Sequence, residues 1–199
     1  MKRRHTMKVG LIQALILGAA LAHAPAAGQM QVEARGGLTV GNHSASFAGM
    51  DVVPAVSVDV VVQRQMLSSI AVYGGFSRTS FGCEEGFCKD QDPAITIVGN
   101  HGVLGVEWSP SGMEQSPARP WLRAGAMFGS TRAGTLGDDP EPGIGIHMAV
   151  GLSVGSGQFL FVPGFSYKRM AATQGDDKGH ATAVSVDLGF AYRIGGGGG

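Results

Sequence analysis

The sequence has little of several features that define protein classes. Charge is sparse and balanced, with 15 acidic and 15 basic residues in 199, so no basic surplus indicates a nucleic-acid partner. The part of the chain after residue 28 contains no basic cluster that would indicate a site for anionic lipid. That part also lacks an apolar run of 18 residues, which excludes a helical membrane protein. Glycine is abundant at 33 residues, yet the mean hydropathy is positive, which is not typical of a disordered chain.

Cysteine is limited to Cys83 and Cys88. In an exported chain two close cysteines most often form a disulfide, so we expect a Cys83–Cys88 bond that holds a loop. A zinc site would need a second pair of Cys or His ligands at a suitable spacing, and the sequence has none. No metal site and no cofactor-binding site is therefore predicted.

The first 28 residues are typical of a secretory signal peptide. Positive charges at Lys2, Arg3, Arg4 and Lys8 precede an apolar run at 11–22, and small residues follow. The run is short for a membrane-spanning helix, which needs about 20 apolar residues, so a membrane anchor is the less favoured alternative. We predict a signal peptide at 1–28, one folded domain at 29–194, and a flexible glycine tail at 195–199 outside the fold.

Eight segments of the remaining chain alternate apolar residues with small or polar ones, which is the pattern of β-strands. They run 32–40, 52–63, 69–81, 94–109, 121–132, 143–155, 158–169 and 184–194. No segment there has the 3.6-residue period of a helix, so the fold class is all-β. Stretches of about ten polar residues follow the odd-numbered strands and mostly shorter links follow the even-numbered ones. This predicts an eight-stranded antiparallel up-and-down transmembrane β-barrel with its longer loops outside.

The two faces of these strands favour a membrane barrel over the alternative, a soluble periplasmic barrel. One face is almost entirely Val, Ile, Leu and Phe, whereas the other is rich in Gly, Ser and Ala with a few charges. An eight-stranded interior is just wide enough to be filled by side chains, and opposite charges there would neutralise one another. The charges predicted to form this lumen network are Glu33, Arg35, Asp59, Glu107, Arg123, Lys168, Asp187 and Arg193.

Aromatic residues near strand ends fit the girdles that flank an apolar belt. They are Phe81, Trp108, Trp121, Tyr167 and Tyr192. We also expect Arg35 on the first strand and Asp187 on the last to meet across the seam that closes the barrel.

Over 29–194 the chain resembles the small outer-membrane β-barrels of the OmpA/OmpX type. In that family the last strand signals to the barrel-assembly machinery through a polar residue, a glycine two residues on, and hydrophobic or aromatic residues five and seven residues on. Asp187, Gly189, Tyr192 and Ile194 have this spacing. The chain departs from the pattern in having Ile rather than Phe last and in the glycines that follow.

The resemblance implies an outer-membrane location and two partners, the barrel-assembly machinery and outer-membrane lipid including lipopolysaccharide. It implies no cofactor and does not name an external ligand. No nucleic acid is expected.

Several residues are of types that serve as catalytic or metal-binding groups. His101 and His147 lie on different strands without a paired ligand, so hydrogen-bonded interior histidines are favoured. A lipid A-modifying enzyme would need a His–Ser pair at the rim with an acid orienting the base. Candidates for that site are His43, Ser44, Ser46, His180, Asp51 and Asp177. The acidic stretches 137–142 and 175–179 lack a calcium-loop spacing, so solvated turns are favoured.

No catalytic residue is predicted from these patterns. The function that the sequence favours is structural or surface-interacting, with the lumen closed by paired charges that fix the register. An ion path through those charges is the alternative at that site. For the whole protein the alternatives are a narrow channel for small or apolar solutes and, third, a lipid A-modifying enzyme.

Overall fold

The computed structural model describes residues 29–43, 54–82, 96–113, 116–133, 141–174 and 177–194. The regular structure of these ranges is entirely β-strand, in nine segments. They are β1 (Met30–His43), β2 (Ala55–Leu67), β3 (Ile70–Gly82), β4 (Thr96–Trp108), β5 (Ala118–Ala133), β6 (Gly143–Val154), β7 (Phe159–Phe161), β8 (Gly164–Gln174) and β9 (Asp177–Ile194). In this described part no helix is long and apolar enough to cross a membrane. The predicted signal peptide, Cys83, Cys88 and the glycine tail lie outside the described residues.

The strands close into a barrel in which every neighbouring pair is antiparallel. The last strand pairs with the first along its length, from Met30 opposite Ile194 to His43 opposite Ala181. Closure leaves no strand edge with unpaired backbone groups, which is the condition that a bilayer imposes on a sheet.

The segments β7 and β8 are two parts of one strand. Phe159 pairs with Tyr192 and Gly164 pairs with Asp187, so both segments keep one register against β9. Pro163, which has no backbone N–H to give to the ladder, lies between them. Hydrogen bonding continues around it, from Val162 N to Gly189 O at 2.8 Å and from Leu152 N to Pro163 O at 3.0 Å. The predicted eight-stranded up-and-down barrel is therefore confirmed.

The strands are strongly staggered around the barrel. A path that steps from each residue to its partner on the next strand starts at Met30 and returns to β1 at Val40, ten residues further along. It passes through Arg64, Val72, Val106, Ala124, Met148, Tyr167 and Val184. With a rise of about 3.3 Å per residue and a strand spacing of about 4.8 Å, this stagger tilts the strands by about 40° and gives a backbone radius of about 8 Å.

The barrel is inverted relative to a soluble protein. Large apolar side chains project outward with high exposed fractions, such as 74% for Ile144, 73% for Phe159 and 68% for Phe190. Inward positions of the same strands hold charged and small residues that are buried, including Glu33 and Lys168. An outer face of this composition is stable only in contact with hydrocarbon, which confirms the transmembrane barrel.

The fourth long loop expected from the sequence is not there. The ladder between β8 and β9 runs from Gly164 opposite Asp187 up to Gln174 opposite Asp177, so only residues 175–176 separate the two strands. The Gly and Asp residues of this stretch suggested a loop, but the backbone pairing of β8 with β9 extends through most of it. Three long connections therefore remain at this end, at 44–54, 83–95 and 134–142.

The position of an outward residue along the belt should decide what a charge costs there. Leu188 lies on the outer face of β9 between Val186 and Phe190 and is 59% exposed, whereas Leu67 ends β2 at a tight turn and is 61% exposed. We expect Leu188→Arg to cost about 2–4 kcal/mol of unfolding free energy and Leu67→Arg about 0–1 kcal/mol. Urea unfolding in lipid vesicles, followed by tryptophan fluorescence, measures both. Equal costs would contradict the placement of Leu188 within the apolar belt and of Leu67 at its edge.

Candidate functional site: the charged lumen and the closing strand

The lumen is organised around the guanidinium of Arg123, which projects inward from β5. It donates two parallel hydrogen bonds to Glu33 on β1, from Nη1 to Oε1 and from Nη2 to Oε2, each at 2.8 Å. Its Nε donates to Glu107 Oε2 on β4 at 2.7 Å, and Nη2 also donates to Gln63 Oε1 on β2 at 3.0 Å. One side chain thus links four strands across the lumen by charge-assisted bonds, which are the strongest kind.

Glutamine completes this cluster. Gln63 Nε2 donates to Glu107 Oε1 at 2.7 Å, and Gln31 Nε2 lies 3.4 Å from Glu33 Oε2. Both glutamates and Arg123 have almost no exposed surface. Carboxylates so buried are tolerable only when their oxygens are paired in this way.

Two aromatic rings enclose the same guanidinium. The Arg123 Cζ atom lies 4.6 Å from the ring centroid of Trp121 and 5.3 Å from that of Tyr73. Arg35 lies against Trp121 too, with its Cζ 5.2 Å from the ring centroid. A desolvated cation over an aromatic face gains about 2 kcal/mol or more, so these rings contribute to holding the charges.

A second ion pair lies on β2 and β8. Lys168 Nζ donates to Asp59 Oδ1 at 2.7 Å, and both residues are buried. Arg35 on β1 lies between this pair and the Arg123 cluster, with Nε 3.0 Å from Glu33 Oε1 and Nη2 3.7 Å from Asp59 Oδ2. None of its three nitrogens has hydrogen-bonding geometry to a partner among the described residues. Arg35 is therefore the loosely held cation of the lumen.

Two expectations for the charge network are wrong. Arg35 and Asp187 form no ion pair in the described structure, because the register sets Gly189 opposite Arg35 and Gly37 opposite Asp187. Arg193, predicted to be in the network, is only partly buried near the turn end of β9 and pairs with none of the described acids of the lumen. The other seven predicted residues are all buried in the lumen. Six of them form its ion pairs, whereas Asp187 has no ion pair among the described residues.

Inward glycines make room for the largest lumen side chains. A Cβ added at Gly105 or Gly125 would lie 2.7 or 2.6 Å from the Tyr73 hydroxyl oxygen, and one added at Gly151 would overlap the Trp121 ring. At the seam a Cβ on Gly189 would overlap Arg35 Cγ, and one on Gly37 would overlap Asp187 Oδ1. At each of these five glycines an added Cβ would also lie within 2.7 Å of a backbone carbonyl oxygen of the neighbouring strand. These positions therefore need glycine both for a long side chain that crosses the lumen and for the close approach of the backbones.

The interior histidines have hydrogen-bonding partners rather than metal ligands. His147 Nδ1 lies 2.9 Å from the Tyr73 hydroxyl oxygen, with the two rings in edge-on contact at 5.9 Å. His101 Nε2 lies 3.3 Å from Thr131 Oγ1. In the described part of the chain no three His, Cys, Asp or Glu side chains come together to hold a metal ion.

Apolar layers lie on both sides of the charges. The layer towards the loop ends of the strands includes Phe81, Ile97, Met127 and Met170, and the one towards the turn ends includes Trp121, Leu160, Val162 and Ala191. The prediction that Phe81 and Trp121 belong to interfacial girdles is therefore wrong. They lie at odd-numbered positions that alternate into the lumen, and nearness to a strand end does not report the face. Trp108, Tyr167 and Tyr192 do lie on the outer face.

The four residues matched to the assembly signal divide between the two faces of β9. Asp187 and Gly189 face the lumen, where they meet β1 at the seam. Tyr192 and Ile194 face outward, and Tyr192 stacks on Phe159 with ring centroids 4.9 Å apart. The motif therefore combines two residues that contribute to closure with two that remain accessible from outside the barrel.

Solved structures with this architecture have very different sequences. At the level of sequence no family model and no curated protein matches the chain. Neisserial surface protein A superposes with a TM-score of 0.61 at 12% identity, over 83% of this chain and 97% of that one. The chain has the fold of the small outer-membrane β-barrels. OprG from Pseudomonas aeruginosa (TM-score 0.51, 12% identity, 82% and 95% of the two chains) shares it.

Ail, the attachment invasion locus protein of Yersinia pestis, is a third example, with a TM-score of 0.50, 12% identity, and coverage of 85% of this chain and 100% of that one. Identities this low establish the fold of the barrel and nothing about its partners. The resemblance inferred from the alternation and the last strand is confirmed at that level.

Sequence reasoning missed the uncharged members of the lumen. Gln63, Trp121 and Tyr73 all contact Arg123, and each occupies an inward position that alternation alone identifies. The sequence could have identified them, because these aromatic and amide side chains stand at the same alternating positions as the inward charges, on a face otherwise made of small residues.

Loss of Arg123 should destabilise the barrel far more than loss of a peripheral arginine. We expect Arg123→Leu to cost about 3–5 kcal/mol of unfolding free energy, because it leaves Glu33 and Glu107 buried without a cation. Arg193→Leu is the control and should cost less than about 1 kcal/mol. Adding Glu33→Gln and Glu107→Gln to Arg123→Leu should restore part of the loss in urea unfolding. A triple variant as unstable as the single one would contradict charge burial as the cause.

The glycine of the last strand should be coupled to Arg35. Gly189→Ala is expected to destabilise, and a double-mutant cycle with Arg35→Ala should give a coupling energy of about 0.5–3 kcal/mol, because the second change removes the overlapping Cγ. Gly36→Ala is the control, since its added Cβ would meet nothing closer than 3.8 Å. Refolding into detergent micelles measures stability without any assembly machinery. Strictly additive effects there would show that Gly189 is required for another reason.

Proposed function

We propose that the protein is an integral outer-membrane barrel with a closed lumen, acting at the cell surface through its loop end rather than by transport. The observation that carries this proposal is the Arg123 cluster, in which one guanidinium binds Glu33, Gln63 and Glu107 from three other strands. A side chain held by four hydrogen bonds across a barrel of about 8 Å radius occupies the path that a solute would take.

The rest of the lumen supports closure. Lys168 and Asp59 pair beyond the Arg123 cluster, and apolar layers lie towards both ends. A solute would have to separate buried, hydrogen-bonded charges and then cross Phe81, Met127 and Met170. Opening such a path would leave carboxylates without their partners, at a cost of several kcal/mol for each pair broken.

The wall gives no support to a lateral opening, which a narrow channel for apolar solutes would need. The interruption between β7 and β8 keeps its hydrogen bonds to the flanking strands through Val162 N and Pro163 O. A lipid A-modifying site is the third candidate, and the side chain of His43 and the residues Ser44 and Ser46, which it would use, lie outside those described. Lipid A mass spectra from cells with and without the protein test that activity.

The solved barrels of similar fold support a role at the surface. Two of them are named as a Neisserial surface protein and as an attachment invasion locus protein. Export by the predicted signal peptide and insertion through β9 belong to the same proposal. The partner at the loop end is not specified by the described residues.

A closed lumen predicts that the protein conducts no ions across a bilayer. In planar bilayers the folded protein, verified by heat-modifiable gel migration, should give no steady conductance. The triple variant Arg123→Ala, Glu33→Gln, Glu107→Gln lacks the large side chain that blocks the lumen. It also lacks the two carboxylate charges that would be left without a cation, so the folded variant should show conductance. A steady conductance from the unmodified protein would overturn the closed lumen and favour the narrow channel. A freely soluble product without heat-modifiable migration would overturn the membrane location as well.

A further inference from the structure

The acidic side chains of the described strands lie on only one of the two faces of the barrel. Wherever a strand side chain is described, each carboxylate points into the lumen: Glu33, Asp59, Glu107 and Asp187. The charged side chains at outward positions of these strands are all arginine: Arg64, which is only 9% exposed, and the exposed Arg78, Arg132 and Arg169. The chain as a whole is neutral, so this outward positive charge is invisible in its composition.

Three of these arginines lie towards the loop end and form two groups by register. Arg78 on β3 pairs with Asn100, which pairs with Ser130 on β5, two residues before Arg132. Arg78 and Arg132 are therefore two strands and two residues apart, about 12 Å between Cα atoms. Arg169 on β8 pairs with Thr182 on β9, two residues from the exposed His180, a diagonal separation of about 8 Å.

The surroundings of these arginines are those of a membrane boundary. Arg78 pairs with Val58, which is 43% exposed, and Arg169 pairs with Ile146, which is 53% exposed. An arginine beside outward apolar residues extends its aliphatic stem along them and places its guanidinium in the polar zone above. At that level of a bilayer the groups available to it are lipid headgroups, and phosphate fits the planar fork of a guanidinium by two parallel hydrogen bonds.

We propose that Arg78, Arg132 and Arg169 form an arginine collar that binds the phosphate groups of lipid A in the outer leaflet. The proposal rests on the proposed function in one respect, namely that the loop end faces outward. Charge complementarity selects the occupant. The collar offers cations and no described carboxylate on the same face, and lipid A carries its phosphates at the level where the apolar belt ends.

Lipid A retained by the purified barrel tests the collar. The full-length protein in dodecylmaltoside micelles is titrated with bisphosphorylated lipid A, with dephosphorylated lipid A and with phosphatidylglycerol, and binding is followed by native mass spectrometry. Arg78→Gln, Arg132→Gln and Arg169→Gln should each weaken lipid A binding about fivefold, as expected for one basic residue at an anionic surface. Affinity should fall with added salt, and dephosphorylated lipid A should bind as weakly as it does to the triple variant.

Matched variants separate the collar from general effects of charge. Arg193→Gln removes a partly buried arginine at the opposite end of the barrel and should leave lipid A binding unchanged. Arg78→Lys and Arg169→Lys keep the charge but lose the planar fork, so each should weaken lipid A binding less than the corresponding Gln variant does. Heat-modifiable migration of each variant verifies folding, which substitutions on the outer face should preserve.

Three results would overturn the collar. These are unchanged lipid A binding in the triple variant, equal binding of dephosphorylated lipid A, and phosphatidylglycerol bound as tightly as lipid A, which would indicate a general anionic headgroup site. None of them affects bilayer conductance, so the collar and the closed lumen can fail separately.

Discussion

Burial of four carboxylates inside a narrow barrel is the constraint on which the rest of the structure depends. Without cations, these groups would cost many kcal/mol in a medium of low dielectric constant. Arg123 is the main partner of these acids, because it forms bidentate bonds to Glu33 and a further bond to Glu107. The same bonds fix the position of β5 relative to β1 and β4. The register of the barrel and the pairing of its buried charges therefore depend on the same bonds.

Glycine makes this arrangement sterically possible. A radius of about 8 Å leaves no room for Trp121, Tyr73 and Arg35 to cross the lumen unless the facing strand lacks a side chain. The glycines at 105, 125, 151 and 189 supply those gaps. High glycine content, which in isolation is typical of disorder, here belongs to inward positions of well-paired strands. Each large residue needs the glycine that faces it. The effect on stability of a substitution at one of the two positions is therefore expected to depend on the residue at the other.

Most of the fold could be predicted from alternation, because a two-residue period that persists over ten residues has one structural explanation. Which residues share a face was predictable for the same reason, and it gave the buried set from Glu33 to Asp187. Contacts within that face were not predictable, because the stagger of ten residues determines which inward positions meet. Arg35 and Asp187 are near the seam in the sequence pattern, yet the register sets each opposite a glycine. Trp121 and Phe81 were misassigned because nearness to a strand end was given more weight than phase.

Composition hides the electrostatic character of this protein because a barrel has two surfaces. The net charge of zero conceals two different surfaces: a lumen whose four acids are partly paired with Arg123, Lys168 and Arg35, and an outer face whose described strand charges are all positive. Averaging over the sequence removes both signals, and a search for basic clusters along the chain finds none, because strands bring together residues that are far apart in sequence. In a membrane barrel, charge is informative only after each residue has been assigned to a face. The outward arginines then stand as a feature that the stability of the lumen does not require and that contact with an anionic leaflet explains.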